Sequence, residues 1–226
     1  MDIKLETTND GSHTFFVANL NEHYHSTNGA IEEAQHVFIH TGLNQCTKKK
    51  IKVFEIGFGT GLNTFLTFLE ADNRQLTIDY TSIELYPVAI SLARQLNFAQ
   101  LTAPDQEHVF HKLHDSPWGE CVEITSSFSL MKIECDLTSD MLPDTLSEYD
   151  VIYFDAFGPD KQPEMWSRDI FEKMYNICSE NGVLVTYSAK GSIRRLLQSI
   201  GFTVERLPGP PGKREMLRAT KKENRQ

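Results

Sequence analysis

The segment Val53-Phe54-Glu55-Ile56-Gly57-Phe58-Gly59-Thr60-Gly61-Leu62-Asn63 constrains this chain more than any other. An apolar strand pattern runs directly into three glycines spaced two apart, and a helix pattern follows. Glycine tolerates positive φ and carries no Cβ, so such a turn lets the backbone lie against a nucleotide-like ligand at a strand end. The spacing is G-x-G-x-G rather than G-x-G-x-x-G, and no Gly-Lys-Ser/Thr follows, which sets aside a phosphate-cradling P-loop. For the glycines alone, a tight structural turn is the plain alternative.

Around that segment the hydrophobic period switches repeatedly between two and 3.6. Residues 14–17 read as a strand in an N-terminal hairpin. Residues 28–40 read as a helix capped by Asn28, with Ile31, Ala34, Val37 and Phe38 as its apolar stripe. Strands are expected at 51–56, 76–84, 129–135, 149–155, 183–187, 202–207 and 215–219. Helices are expected at 62–71, 87–97 (Pro87 in its first turn), 163–178 and 192–200, the last ended by Gly201. Asn181-Gly182 reads as a turn. Residues 149–155 are almost continuously apolar, which marks a central strand covered on both faces. Residues 99–127 form an insertion carrying an extra strand at 121–125. The expectation is one α/β domain over 1–226 with an N-terminal extension at 1–48. Its Rossmann-like sheet is seven-stranded and mostly parallel, with one antiparallel strand near the end.

No apolar run approaches the roughly 20 residues of a membrane span. The polar, acidic start does not read as a signal peptide. The four cysteines are scattered, which reads as buried free thiols in a reducing cytosol, so a cytoplasmic location is expected. The net charge of -9 is unevenly distributed: from Thr186 onward ten Lys and Arg stand against three acids. A basic end on an acidic body can steer a polyanion to one face. A solvated tail over 221–226 is the alternative.

Acids at strand ends narrow the ligand. Glu84 closes its strand about 20 residues after the glycines, where a carboxylate accepts from both ribose hydroxyls. Asp136 follows the next strand, placed to meet an adenine amino group. Asp155 ends the central strand beside the topological switch point. Glu55 lies two residues before the glycine loop; a carboxylate there suits a cationic amino-acid tail and repels a pyrophosphate. The set Glu55, Gly57, Phe58, Gly59, Gly61, Leu62, Asn63, Glu84, Asp136 and Asp155 therefore favours S-adenosylmethionine over a nicotinamide dinucleotide.

Three runs resemble one family: residues 55–63; Asp155-Ala156-Phe157-Gly158-Pro159-Asp160-Lys161-Gln162-Pro163-Glu164-Met165-Trp166; and Lys213-Arg214-Glu215-Met216-Leu217. They look like the methyltransferase half of MnmC-type tRNA-modifying proteins. Tyr24-His25-Ser26, Gly29-Ala30 and Glu32-Glu33 resemble the same family's N-terminal signature. The resemblance covers roughly residues 24–219, leaves 99–127 unmatched, and suggests the stand-alone, MnmD-type form without an FAD-binding half. It implies a class I methyltransferase fold. It also implies transfer of a methyl group from S-adenosylmethionine to the amine of 5-aminomethyl-2-thiouridine at the tRNA wobble position. Asp155 is the candidate catalytic group, either taking the proton of the amine or only orienting it. Phe157 and Trp166 either stack on an extruded base or pack beneath the loop. Tyr24 and Ser26 belong with the substrate side. Lys161, Lys190, Arg194, Arg195, Lys213 and Arg214 are candidates for phosphate contacts.

Three rival functions follow from the same residues: methyl or aminopropyl transfer to a free small amine, a non-catalytic scaffold of a tRNA-modification complex, and a nicotinamide oxidoreductase, which Glu55 opposes. His36 and His40 have metal-pair spacing without H-E-x-x-H. His108, His111 and His114 cluster in the insertion. Neither group reads as a metal site, and His23 and His25 flank Tyr24 near the expected ligand.

Overall fold

The computed structural model describes residues 3–143 and 145–222. β1 (Ile3–Thr7), β2 (His13–Val17) and β3 (Glu22–His23) form a small antiparallel sheet in that order. α1 (Ala30–Ala34) continues without a break into a π-helical turn over Gln35–His40. The helix expected over 28–40 starts later, because Gly29 at φ 144 is its first flanking residue. Asn28 turns back to Ser26 instead of capping.

The central sheet then builds from β4 (Lys50–Ile56), α2 (Leu62–Arg74), β5 (Thr77–Glu84), α3 (Ile90–Ala93), α4 (Phe98–Thr102), α5 (Glu107–Asp115), β6 (Cys121–Thr125) and β7 (Phe128–Glu134). It continues through β8 (Tyr149–Phe154), α6 (Arg168–Ile177), β9 (Cys178–Thr186), α7 (Gly191–Ile200), β10 (Phe202–Pro208) and β11 (Glu215–Lys221). The strand order is β10-β11-β9-β8-β4-β5-β7-β6. The seven expected strands are joined at the edge by the insertion's extra strand, so the sheet has eight. β6 and β11 run antiparallel to their neighbours, while β7, β5, β4, β8 and β9 are parallel.

Several local expectations change. The helix expected over 87–97 shrinks to Ile90–Ala93, because Pro87 precedes it and Ala89 holds an extended ψ of 137. Residues 163–178 split into a 3-10 turn at Pro163–Trp166 and α6, separated by an extended Ser167. The turn expected at Asn181-Gly182 is absorbed into β9: Asn181, at φ 62, lies where the ladder to β8 shifts register. Of the four free cysteines only Cys178 is buried. Lys221 belongs to β11 and donates to the Tyr175 and Cys178 carbonyls, so it is not a solvated tail residue. Arg225 of the expected tail lies outside the described residues.

Alternate strand residues feed opposite faces, as a two-residue period demands. Val53, Tyr80 and Tyr153 join one core with Phe38, Phe65 and Phe110 from the π-helical turn, α2 and α5. Phe54, Ile152 and Phe154 join the other with Phe171 and Met174 of α6 and Leu197 of α7. β8 is buried at every position, consistent with two covered faces. From β4 the chain steps outward to β5 and β7, then crosses to β8 on the other side. The carboxyl ends of β4 and β8 therefore flank a switch point, where open α/β sheets bind ligands.

Candidate functional site

The glycine loop leaves the end of β4 and folds over β5: the Gly57 and Phe58 amides both donate to the Ile83 carbonyl, at 2.9 and 3.2 Å. Two positions require glycine. At Gly57, φ 88, a Cβ would lie 3.0 Å from the Asp155 carbonyl oxygen; at Gly61, φ 71, it would lie 2.8 Å from His114 Nε2. Gly61 opens α2. The loop borders a cavity of about 820 Å³ that runs along the carboxyl edge of β4, β5 and β8.

At one end of the cavity, Glu84 accepts from the Gly59 amide (3.0 Å) and the Tyr86 amide (2.9 Å). Burial raises its pKa, and those amides oppose the rise. Asp136 accepts from the Thr138 hydroxyl (2.6 Å) and amide (2.9 Å), which lower its pKa. At the other end, Asp155 follows β8 and accepts from Asn63 Nδ2 at 2.8 Å. Burial pushes its carboxyl well above the usual range; the Asn63 bond opposes this and the charge of Glu33 adds to it. Glu33 of α1, only 7% exposed, pairs with Lys213 from the β10–β11 connection and accepts from the Ser26 amide at 3.1 Å. Lys213 also lies 3.9 Å over the Tyr187 ring, and Tyr187 donates to the Ala156 carbonyl at 2.8 Å. Tyr24 meets Phe157 edge to face at 5.3 Å, and a Cβ on Gly59 would touch the Tyr24 ring. Lys161 donates to the Leu20 and Asn21 carbonyls, tying the β2–β3 connection to the β8–α6 connection beside the cavity.

Of the residues singled out in the sequence, Gly57, Phe58, Gly59, Leu62, Asn63, Glu84, Asp136 and Asp155 border this cavity. So do Tyr24, Ser26, Phe157, Lys161 and Lys213. Others do not. Glu55 points into the core beneath the loop, fully buried, accepting from Ser82 (2.7 Å) and Thr64 (3.1 Å). Burial lifts its pKa to about 7. Trp166 is buried under the 157–162 turn, donating to the Phe157 carbonyl at 2.8 Å and packing on Phe154. Lys190 pairs with Asp160 at 2.5 Å. Arg194, Arg195 and Arg214 lie outside the cavity and make no ion pair among the described residues. Glu33 and Tyr187 had no role in the site from the sequence, although Glu33 falls within the quoted N-terminal signature; His25, expected near the ligand, borders the cavity. His25 Nε2 lies 2.6 Å from the Thr60 hydroxyl, and burial lowers its pKa to about 4. Among the described residues no cluster of three or more His, Cys, Asp or Glu is arranged to hold a metal ion, and no helix is long and apolar enough to cross a membrane.

Comparison with known proteins bears on this arrangement. Residues 105–222 match a family model described as S-adenosyl-L-methionine-dependent methyltransferase. The tRNA 5-methylaminomethyl-2-thiouridine biosynthesis bifunctional protein MnmC of Pseudoalteromonas atlantica is 30% identical over 225 residues, 90% of this chain and 32% of that protein. Its namesake from Leptospira borgpetersenii is 29% identical over 86% of this chain and 31% of that protein. The chain thus spans about a third of the length of these curated relatives. The solved structure of MNMC2 from Aquifex aeolicus superposes with a TM-score of 0.78 at 27% identity, covering 97% of this chain and 70% of that one.

Proposed function

Because the chain belongs to the S-adenosyl-L-methionine-dependent methyltransferase family, we propose that it N-methylates 5-aminomethyl-2-thiouridine at the wobble position of tRNA, giving 5-methylaminomethyl-2-thiouridine. One observation carries this reading. The run 155–166, which bears the family resemblance, and the glycine loop some hundred residues earlier border the same cavity. The names of the curated relatives support the acceptor.

The cavity's residues fit the cofactor. Gly57 and Gly59 present bare backbone, and the buried Asn63 Oδ1 has no partner within the protein. In this reading Glu84 and Asp136 hold the ribose and adenine, while Asn63 and the glycine loop hold the amino-acid tail. The cofactor, when bound, supplies an electrophilic methyl group. The chain supplies alignment and a place for a proton. A primary amine is protonated near neutral pH and must lose a proton to attack. A carboxylate whose basicity is raised by burial, as at Asp155, is better matched to that transfer than an ordinary one. The Asn63 amide fixes one Asp155 oxygen, leaving the other for the amine. Phe157 and Tyr24 offer aromatic faces for an extruded base. Arg194, Arg195 and Arg214 take phosphates of the anticodon stem, whereas Lys161, Lys190 and Lys213 already hold the fold around the site. The protein occupies the cytoplasm, where its tRNA substrate resides.

The test is mass spectrometry of nucleosides from tRNA carrying the aminomethyl group, incubated with the protein and S-adenosylmethionine. A gain of one methyl group on that nucleoside is expected. Its absence, in a protein that binds the cofactor, overturns the acceptor assignment.

A further inference from the structure

The insertion is not idle sequence, for it grips the glycine loop from behind. Phe58 is only 4% exposed. Its ring meets His114 of α5 at 5.3 Å and Trp118, from the α5–β6 connection, at 5.8 Å, both edge to face. Lys132 of β7, 1% exposed, places its ammonium 5.0 Å from the Phe58 ring and 4.9 Å from the Trp118 ring. It donates to the His114 carbonyl at 2.8 Å. His114 Nε2 lies 3.0 Å from the Thr60 carbonyl. That partner only accepts, so the imidazole carries its proton on Nε2. The Gly119 amide donates to the Lys132 carbonyl at 2.7 Å, locking the α5–β6 connection onto β7. None of His114, Trp118 and Lys132 borders the main cavity.

Glycine-rich loops lose much backbone freedom when a ligand orders them. Contacts that hold the loop beforehand remove that cost from binding. We infer that His114, Trp118 and Lys132 are positioning residues that preorganise the Phe58–Gly61 turn for the cofactor, joining the insertion to the cofactor site by an aromatic–cation clamp. A neutral His114 fits this role, since burial lowers its pKa to about 4. The inference rests on the cofactor class and is independent of the acceptor.

The experiment measures binding of S-adenosylhomocysteine to the full chain by calorimetry, and amide hydrogen exchange of the ligand-free protein, for Trp118→Ala, Trp118→Phe and Lys132→Met. Trp118 is only partly buried and Lys132→Met keeps volume, so both folds should survive. Trp118→Ala and Lys132→Met should weaken binding roughly tenfold. Trp118→Phe should stay within about threefold of the parent. Exchange should quicken at residues 57–61 while β5 and β8 remain as protected as in the parent. Unchanged affinity in both Trp118→Ala and Lys132→Met, or exchange rising alike in all strands, overturns the inference.

Discussion

Glu55→Gln isolates the energetic consequence of burying a carboxyl beneath the glycine loop. Glu55 is wholly enclosed; Oε2 accepts from Ser82 and Thr64, and Oε1 has no partner. Burial raises its pKa from 4.5 to about 7, and the hydroxyl bonds only partly offset the rise. The folded protein therefore holds this proton more tightly than the unfolded chain. The resulting stability is fully present below pH 4.5 and is lost as pH rises to about 7. At about 1.4 kcal/mol per pH unit of difference, the loss is on the order of 3 kcal/mol. Glutamine has the same shape and does not titrate. The stability of the parent minus that of Glu55→Gln should thus fall by about 3 kcal/mol between pH 4.5 and 7.5 and then level off. Urea unfolding followed by tryptophan fluorescence at a series of pH values measures it. His25 and His114, both lowered by burial to about 4, act in the opposite sense by losing stability as pH falls below 6.5. They cancel in the difference because both proteins carry them. A difference that stays flat to within about 0.5 kcal/mol would refute the assignment of a proton to Glu55 near neutrality.

Three further outcomes are expected. Asp155→Asn should lower turnover roughly 100- to 1000-fold while S-adenosylhomocysteine binds within a few-fold of the parent; turnover within about threefold removes Asp155 from the proton's path. Gly61→Ala drives a Cβ to 2.8 Å from His114 Nε2 at a φ of 71, so calorimetry should show cofactor affinity lowered by about tenfold or more, from left-handed strain of about 1–2 kcal/mol and displacement of His114; an unaltered affinity contradicts the geometry. Arg194→Glu with Arg195→Glu should raise the tRNA KM several-fold and flatten its salt dependence without altering kcat; steady-state kinetics at two ionic strengths decides it, and an unchanged KM moves the tRNA surface elsewhere.

Much of the architecture was legible because it is local. The strand-glycine-helix order of β4 and α2, the central burial of β8 and the stop at Gly201 follow from period, glycine placement and composition. The helix expected at 87–97 failed where local propensity met Pro87 and an extended Ala89. Within the run 155–166 the sequence offered Phe157 and Trp166 the same pair of roles. The fold separates them, setting Phe157 on the cavity and Trp166 beneath its backbone.

Glu55 marks the boundary most clearly. Its residue type and its distance from the glycines are properties of the sequence. Which side of β4 it occupies depends on the packing of α2 and on Ser82, its register partner in β5. The same holds for Glu33 and Lys213, 180 residues apart and paired in one wall of the site. It holds too for Phe58, held by His114 and Trp118 of a stretch that no sequence motif had matched but that the family model covers from residue 105 onward. The sequence by itself determined the order of elements, the glycine loop and the acids at the strand ends, since these depend on neighbours along the chain. The tertiary structure alone decided which acids face the cavity and which basic groups are already engaged. Those choices depend on segments that meet only once the sheet has closed around its switch point.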